Sequence, residues 1–217
     1  MVRNRSFQNL RSLKQREKLL SVAGSIFWQK GYLGTSIEDI AKTAKVNKAL
    51  IYYYFKNKAY ILFEIATKYT EELIEQTLPI VKSNISPGEK LKSFVFNHML
   101  FVFKNLELPG GGRERRNLPP KLLKIYIGLR DKYEGMFREI LEEGTNQGEF
   151  QCPDIRLTSL FILGFLNNIT FWYKPTGRLR PEELAGEAYT FISKALNLGK
   201  DSIPGITSIL FPKESAN

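Results

Sequence analysis

Apolar residues recur at helical spacing along nearly the whole chain, and no stretch alternates as a half-buried strand would, so the expected class is all-α. From Ser12 to about Gly31, the residues Leu19, Leu20, Ala23, Ile26 and Phe27 share one face, and Gly31 is a natural stop. Thr35 and Ser36 then offer N-caps, with Glu38 and Asp39 in the first turn where carboxylates suit the helix dipole. The helix they open is expected to end near Ala44. Asn47 caps a second short helix to about Tyr54, and Asn57 starts a long one expected to stop near Leu78, before Pro79.

The pattern continues through the rest of the chain. A serine cap and a first-turn proline open an apolar helix from about Pro87 to Leu106. The glycine- and proline-rich stretch "LPGGGRERRNLPP" predicts a loop. Helical periodicity resumes from Lys121 to about Gly148, then from about Asp154 to Lys174, and finally from Pro181 to about Leu198. The helix around Leu157–Tyr173 is apolar nearly all round. It is shorter than the roughly 20 apolar residues a bilayer needs and holds Asn167 and Asn168, so it belongs in a core or a subunit interface, and no membrane partner is expected.

Charge sharpens this picture. Residues 1–60 hold twelve Lys and Arg against three Asp and Glu, a balance of +9, whereas residues 61–217 hold twenty against nineteen, leaving +1. A basic excess concentrated in the first quarter marks a polyanion-facing module ahead of a near-neutral body. The short helix, tight turn and short helix from Thr35 to Phe55, braced by the longer helix before them, have the layout of a helix-turn-helix. Ile37, Ile40, Ala41 and Ala44 form the inner face of its first helix, and Val46, Ile51 and Phe55 join the same core. With Ile51 and Phe55 inward, Lys48 and Tyr52 share an outer face, with Ala49 and Tyr53 beside it. Tyrosine suits a DNA-facing position because its ring packs on thymine methyls and sugars while its hydroxyl bonds a phosphate oxygen. Tyr54 is the one of the three tyrosines expected to be partly buried.

These residues carry a resemblance. The glycine-aromatic pair Gly31-Tyr32, the hydroxyl pair Thr35-Ser36, the step Ile40-Ala41, then Lys48, Tyr52-Tyr53 and Phe55 resemble the DNA-binding domain of the TetR family of bacterial one-component repressors, over residues 12–60. In the chain's departures from the family pattern, Lys45 stands at the turn position usually held by glycine and Tyr54 where histidine is common. The resemblance implies a helix-turn-helix domain of three helices at 1–60, an effector-binding and dimerisation domain of about six helices at 61–198, and a tail at 199–217. It implies a homodimer binding a palindromic operator in double-stranded DNA, with Thr35, Ser36, Lys45, Asn47, Lys48, Ala49, Tyr52, Tyr53 and Lys58 as candidate contacts. The last two long helices would pair with their copies in a four-helix bundle.

The stretches "FREILEEGTNQGEF" and "FLNNITFWYKPTGRLRPEELA" further resemble the subgroup that senses acyl-coenzyme A thioesters or related lipid-derived effectors. Phe96, His98, Phe101, Phe165, Asn168 and Trp172 are the candidate effector residues, with Asn167 as a further polar group. Arg113, Arg115 and Arg116 are candidates for coenzyme A phosphates. The expected function is a repressor released by a small hydrophobic effector such as an acyl-coenzyme A or a fatty-acid-like molecule. A multidrug or other small-molecule sensor of the same fold, and an architectural DNA binder with no effector, are the alternatives. One histidine, one cysteine and no phosphate loop after a strand give an enzyme, a cofactor or a metal site almost nothing to use. Cys152 reads as a small semi-buried residue before Pro153. Residues 1–20 are basic without a continuous apolar run, which is not a secretory signal, so a cytoplasmic protein is expected.

Overall fold

The computed structural model describes residues 2–106 and 114–197. Among these residues the regular structure is helical throughout: α1 (Val2–Lys30), α2 (Ile37–Ala44), α3 (Lys48–Tyr54), α4 (Lys58–Val81), α5 (Pro87–Lys104), α6 (Pro120–Asn146), α7 (Ile155–Asn168) and α8 (Pro181–Asn197), with short 3-10 helices at Glu114–Asn117 and Ile169–Phe171. The all-α expectation holds. The tail at 199–217 lies outside the described residues, as does Arg113.

Local chemistry explains most boundaries. Ser36 caps α2 in a reciprocal box: its Oγ accepts from the Asp39 amide at 3.0 Å while the Asp39 carboxylate accepts from the Ser36 amide at 2.8 Å. Asn47 caps α3 by accepting from the Leu50 amide at 2.9 Å. Gly31, at φ 74°, ends α1 in the left-handed region that glycine enters without strain.

Three boundaries differ from expectation. Helix α1 begins at Val2 rather than Ser12, since the intervening residues include neither proline nor glycine. Helix α4 runs through Pro79 to Val81, and the Lys82 amide closes the last turn on the Leu78 carbonyl at 3.1 Å. A proline this close to a C-terminus sacrifices one hydrogen bond without ending the helix. Helix α7 tightens after Asn168 into a 3-10 turn, where Asn167 Nδ2 donates to the Leu163 carbonyl at 2.6 Å and the Thr170 hydroxyl to that of Asn167 at 3.1 Å.

Two cores result. The N-terminal one gathers Phe27, Ile40, Ala41, Ile51 and Phe55, and extends past residue 60 to take Ile61, Leu62, Ile65 and Ala66 of α4. Leu118, Leu122 and Tyr126, from the start of α6 and the residues before it, complete this core from the far side of the sequence. The C-terminal core is built on α4, α5 and α6 and closed by α7 and α8, with Phe94 and Phe137 stacked at 4.3 Å between ring centroids. Helix α4 runs through both. Ion pairs Arg16–Glu64 and Lys68–Glu17 tie α1 to it, and buried Lys90 reaches Glu143 at 2.7 Å to tie α5 to α6.

Candidate DNA-binding face and effector cavity

Helix α3 presents its two faces as the periodicity predicts. Ile51 and Phe55 are 0 % and 2 % exposed, whereas Tyr52 and Tyr53 are 55 % and 77 % exposed. Tyr54 is half-buried, meeting the Ser12 hydroxyl at 3.1 Å and the edge of Tyr53 at 5.0 Å between centroids. Ser36, Lys45, Asn47, Lys48 and Ala49 are all exposed. Lys45 adopts φ 56° and ψ 48°, the left-handed conformation that its position in the turn requires. For a residue with a Cβ that geometry costs about 1–2 kcal/mol.

Several groups are already engaged. Lys48 is paired with the Glu38 carboxylate across the turn; the contact holds Glu38 below its usual carboxylate range and raises the Lys48 ammonium. Both groups are solvent-exposed, so the pair is weak and exchangeable. Thr35 is 2 % exposed, with its hydroxyl donating to the Gly31 carbonyl at 2.8 Å and its amide to the Tyr32 carbonyl at 3.3 Å. The Thr35 side chain therefore closes the turn after α1. Lys58, another of the candidate contacts, is engaged at the same turn. Its ammonium donates to the carbonyls of Tyr32 at 2.8 Å and Thr35 at 2.6 Å and lies over the Tyr32 ring.

The body contains a cavity of about 300 Å³ between α4, α5, α6 and α7. Tyr69, Thr70 and Leu73 come from α4, His98 from α5, Tyr126, Arg130, Tyr133 and Glu134 from α6, and Leu160, Leu163 and Asn167 from α7; Arg115 stands before α6. His98 is 1 % exposed, and its Nδ1 meets the Tyr133 hydroxyl at 2.9 Å. Burial, reinforced by the Arg130 charge, pushes the imidazole down to about 4, so it is neutral at pH 7. Burial raises the phenols of Tyr69, Tyr126 and Tyr133.

Of the six candidate effector residues, only His98 lines this cavity. Phe96 lies beside Gly186 of α8, and Phe101 is buried in the C-terminal core against Tyr69, at 4.8 Å between ring centroids. Phe165 faces outward and meets Phe191 of α8 at 5.4 Å, Asn168 is exposed, and Trp172 borders a separate surface cleft with Lys174 and Arg178. Asn167 and Arg115, by contrast, do reach the cavity, while Arg116 is exposed and does not line it. Helix α7, apolar nearly all round, was expected in a core or a subunit interface, and within the chain only one side of it faces the core. The cavity residues missed, Tyr126, Arg130 and Tyr133, had a signal in their spacing on one face of α6.

This arrangement, an exposed recognition helix on a small basic module joined to a helical body with a partly open cavity, defines a helix-turn-helix regulator. The family model for "Bacterial regulatory proteins, tetR family" matches residues 19–65, and that for "Tetracyclin repressor-like, C-terminal domain" matches residues 84–196. The chain belongs to the TetR family and is a DNA-binding transcriptional regulator, not an enzyme. It is 27 % identical to the HTH-type transcriptional repressor KstR2 of Mycolicibacterium smegmatis, over 82 % of this chain and 88 % of that protein. It is 28 % identical to the fatty acid metabolism regulator protein of Bacillus subtilis, over 71 % and 81 % respectively. Among solved structures, PfmR of Thermus thermophilus is 29 % identical with a TM-score of 0.73, covering 81 % of this chain and 97 % of that one. AibR in complex with isovaleryl coenzyme A and operator DNA shares the fold at 24 % identity, with a TM-score of 0.71 over 84 % and 97 %. Among the described residues no helix is long and apolar enough to cross a membrane.

Proposed function

We propose that the protein is a homodimeric repressor whose paired α3 helices read a roughly palindromic operator, and that an acyl-coenzyme A thioester or a related lipid-derived molecule releases it by entering the cavity. The observation that carries effector control is the position of Tyr126. This residue is 1 % exposed, belongs to the N-terminal core and also lines the cavity. A ligand that displaces it must disturb the packing that orients α2 and α3. An architectural DNA binder has no use for such a cavity. For release, the ligand must bind better to the form whose recognition helices are mis-spaced, since equal affinity for both shifts nothing.

The lipid class is supported by the similarity to the fatty acid metabolism regulator and by two cations at the cavity, Arg115 and Arg130, of which exposed Arg115 suits an anionic group outside it. Its volume is near the lower end of the roughly 300–1,000 Å³ of small-molecule sites, so it houses an acyl end while the coenzyme stays outside. On the DNA side, Ser36, Lys45, Asn47, Lys48, Ala49, Tyr52 and Tyr53 make the contacts. Dimerisation uses the apolar stripe of α7, where Leu157, Leu160, Phe161 and Phe165 are 45 %, 52 %, 67 % and 40 % exposed, together with Phe191 of α8 at 63 %. Two-fold symmetry then places half-sites about one helical turn, or a multiple, apart.

Titrating acyl-coenzyme A thioesters of graded chain length against a preformed protein–operator complex tests the reading. Release by a subset of chain lengths is expected. If none releases DNA while a drug-like cation does, the protein is instead a multidrug sensor.

A further inference from the structure

Little of the positive charge of the DNA-binding module is on its recognition helix. Helix α3 carries one cation, Lys48, and that is paired with Glu38. Arg16 and Lys30 are paired with Glu64 and Asp39, and Lys58 is held by two carbonyls. Helix α1, by contrast, exposes Arg11, Lys14 and Lys18, and among the described residues none of the three has an ion-pair partner. A helix advances about 100° per residue, so Arg11 and Lys18 point within about 20° of each other, with Lys14 beside them. Ser12 touches Tyr54 of α3 at 3.1 Å and Glu17 reaches Lys68 of α4 at 3.2 Å, which marks the two packed edges of α1. Arg11 and Lys18 fall in the open arc between those edges.

The position of α1 gives this stripe a target. At Ser12 and Arg16 it packs against the C-terminal end of α3, where the Arg16 guanidinium lies 5.3 Å from the Phe55 ring centroid and Tyr54 carries the exposed ring of Tyr53 on its own at 5.0 Å. A helix about 10–12 Å across fills a major groove about 12 Å wide, so the sugar-phosphate strand bordering the groove lies against whatever packs beside α3. At this end of α3 that neighbour is α1.

We propose that Arg11 and Lys18 of α1 form a second DNA contact, gripping the phosphates of the strand that borders the groove occupied by α3. The division of labour follows from the side chains: α3, with its exposed tyrosines and one paired lysine, reads sequence, while the free cations of α1 supply affinity that is independent of sequence. The inference rests on the reading that α3 enters the groove of a palindromic operator.

A duplex selected from random-sequence DNA by the full-length wild type, and a scrambled duplex of the same length, are titrated at several salt concentrations. The slope of log K against log salt should fall by about one per protomer in Arg11→Gln and in Lys18→Gln, and by about two in the double variant, because each phosphate contact contributes about 0.9. The ratio of affinities for the selected and scrambled duplexes should stay as in the wild type. Lys132→Gln, which removes an exposed cation from α6 in the body, should leave the slope unchanged. An unchanged slope in the double variant, or one that Lys132→Gln lowers as much as either single variant, overturns the proposal. If the selected duplex is palindromic and the double variant keeps the wild-type slope, the inference falls and the operator reading stands. If selection yields no palindrome while the double variant still lowers the slope, the α1 contact stands and that reading falls. If the wild type binds neither duplex, both fall.

Discussion

The ammonium of Lys58 lies 4.2 Å from the ring centroid of Tyr32 and donates to that residue's own carbonyl at 2.8 Å. A cation at the start of α4 thereby pins the turn between α1 and α2. Lys58→Met should destabilise the protein by about 1–3 kcal/mol, as expected for a hydrogen-bonded charge with a ring beneath it. Lys48→Ala should leave the melting temperature unchanged and reduce the slope of log K against log salt by about one. Thermal melts beside operator titrations at several salt concentrations separate the two; a Lys48 variant that melts early would show that the helix phase is wrong.

Lys45 holds a left-handed backbone at φ 56°. Lys45→Gly removes the strain but adds unfolded-state entropy, and the net expectation is a gain of about 0.5–1 kcal/mol. Denaturant titration should find the midpoint raised, with operator affinity lowered only as far as the loss of one exposed cation dictates.

His98 is the single histidine of the chain and is pushed down to about 4 by burial and Arg130. The unfolded chain protonates it near 6.5, about the ordinary value. Between those values the unfolded state binds the extra proton, so the His98 contribution is fully present above about pH 6.5 and is lost as pH falls towards 4. Stability should drop by about 1.4 kcal/mol per pH unit in that window, and the wild-type curve between pH 7 and about 5.5 should be flatter in His98→Leu. Parallel slopes in the two proteins would mean that His98 is not buried neutral.

Phe161 is 67 % exposed on α7. Phe161→Glu should convert the dimer to a folded monomer, because a desolvated carboxylate at a two-fold seam meets its own copy. Sedimentation velocity at micromolar concentration measures this, and the same variant should lose binding to a palindrome. A variant that stays dimeric places the seam elsewhere.

The helical class, the caps at Ser36 and Asn47, and the inward turn of Ile51 and Phe55 were legible in the sequence. Each depends on residues at most four apart, whose relative direction the helix itself dictates. The turn at Lys45 was singled out only through the family resemblance, which places a glycine there; its left-handed backbone is a finding of the structure. Partners brought from afar were not. That Lys58 would turn to Tyr32, that Leu118, Leu122 and Tyr126 would complete the DNA-binding core, and that Phe94 would face inward while Phe165 faced out depend on how long helices lie against one another. Periodicity says that a helix has an apolar face, not what that face meets. The cavity is the extreme case, since it is the space that α4, α5, α6 and α7 leave unfilled, and His98 and Tyr133, whose 2.9 Å contact stands in its wall, are 35 residues apart in sequence.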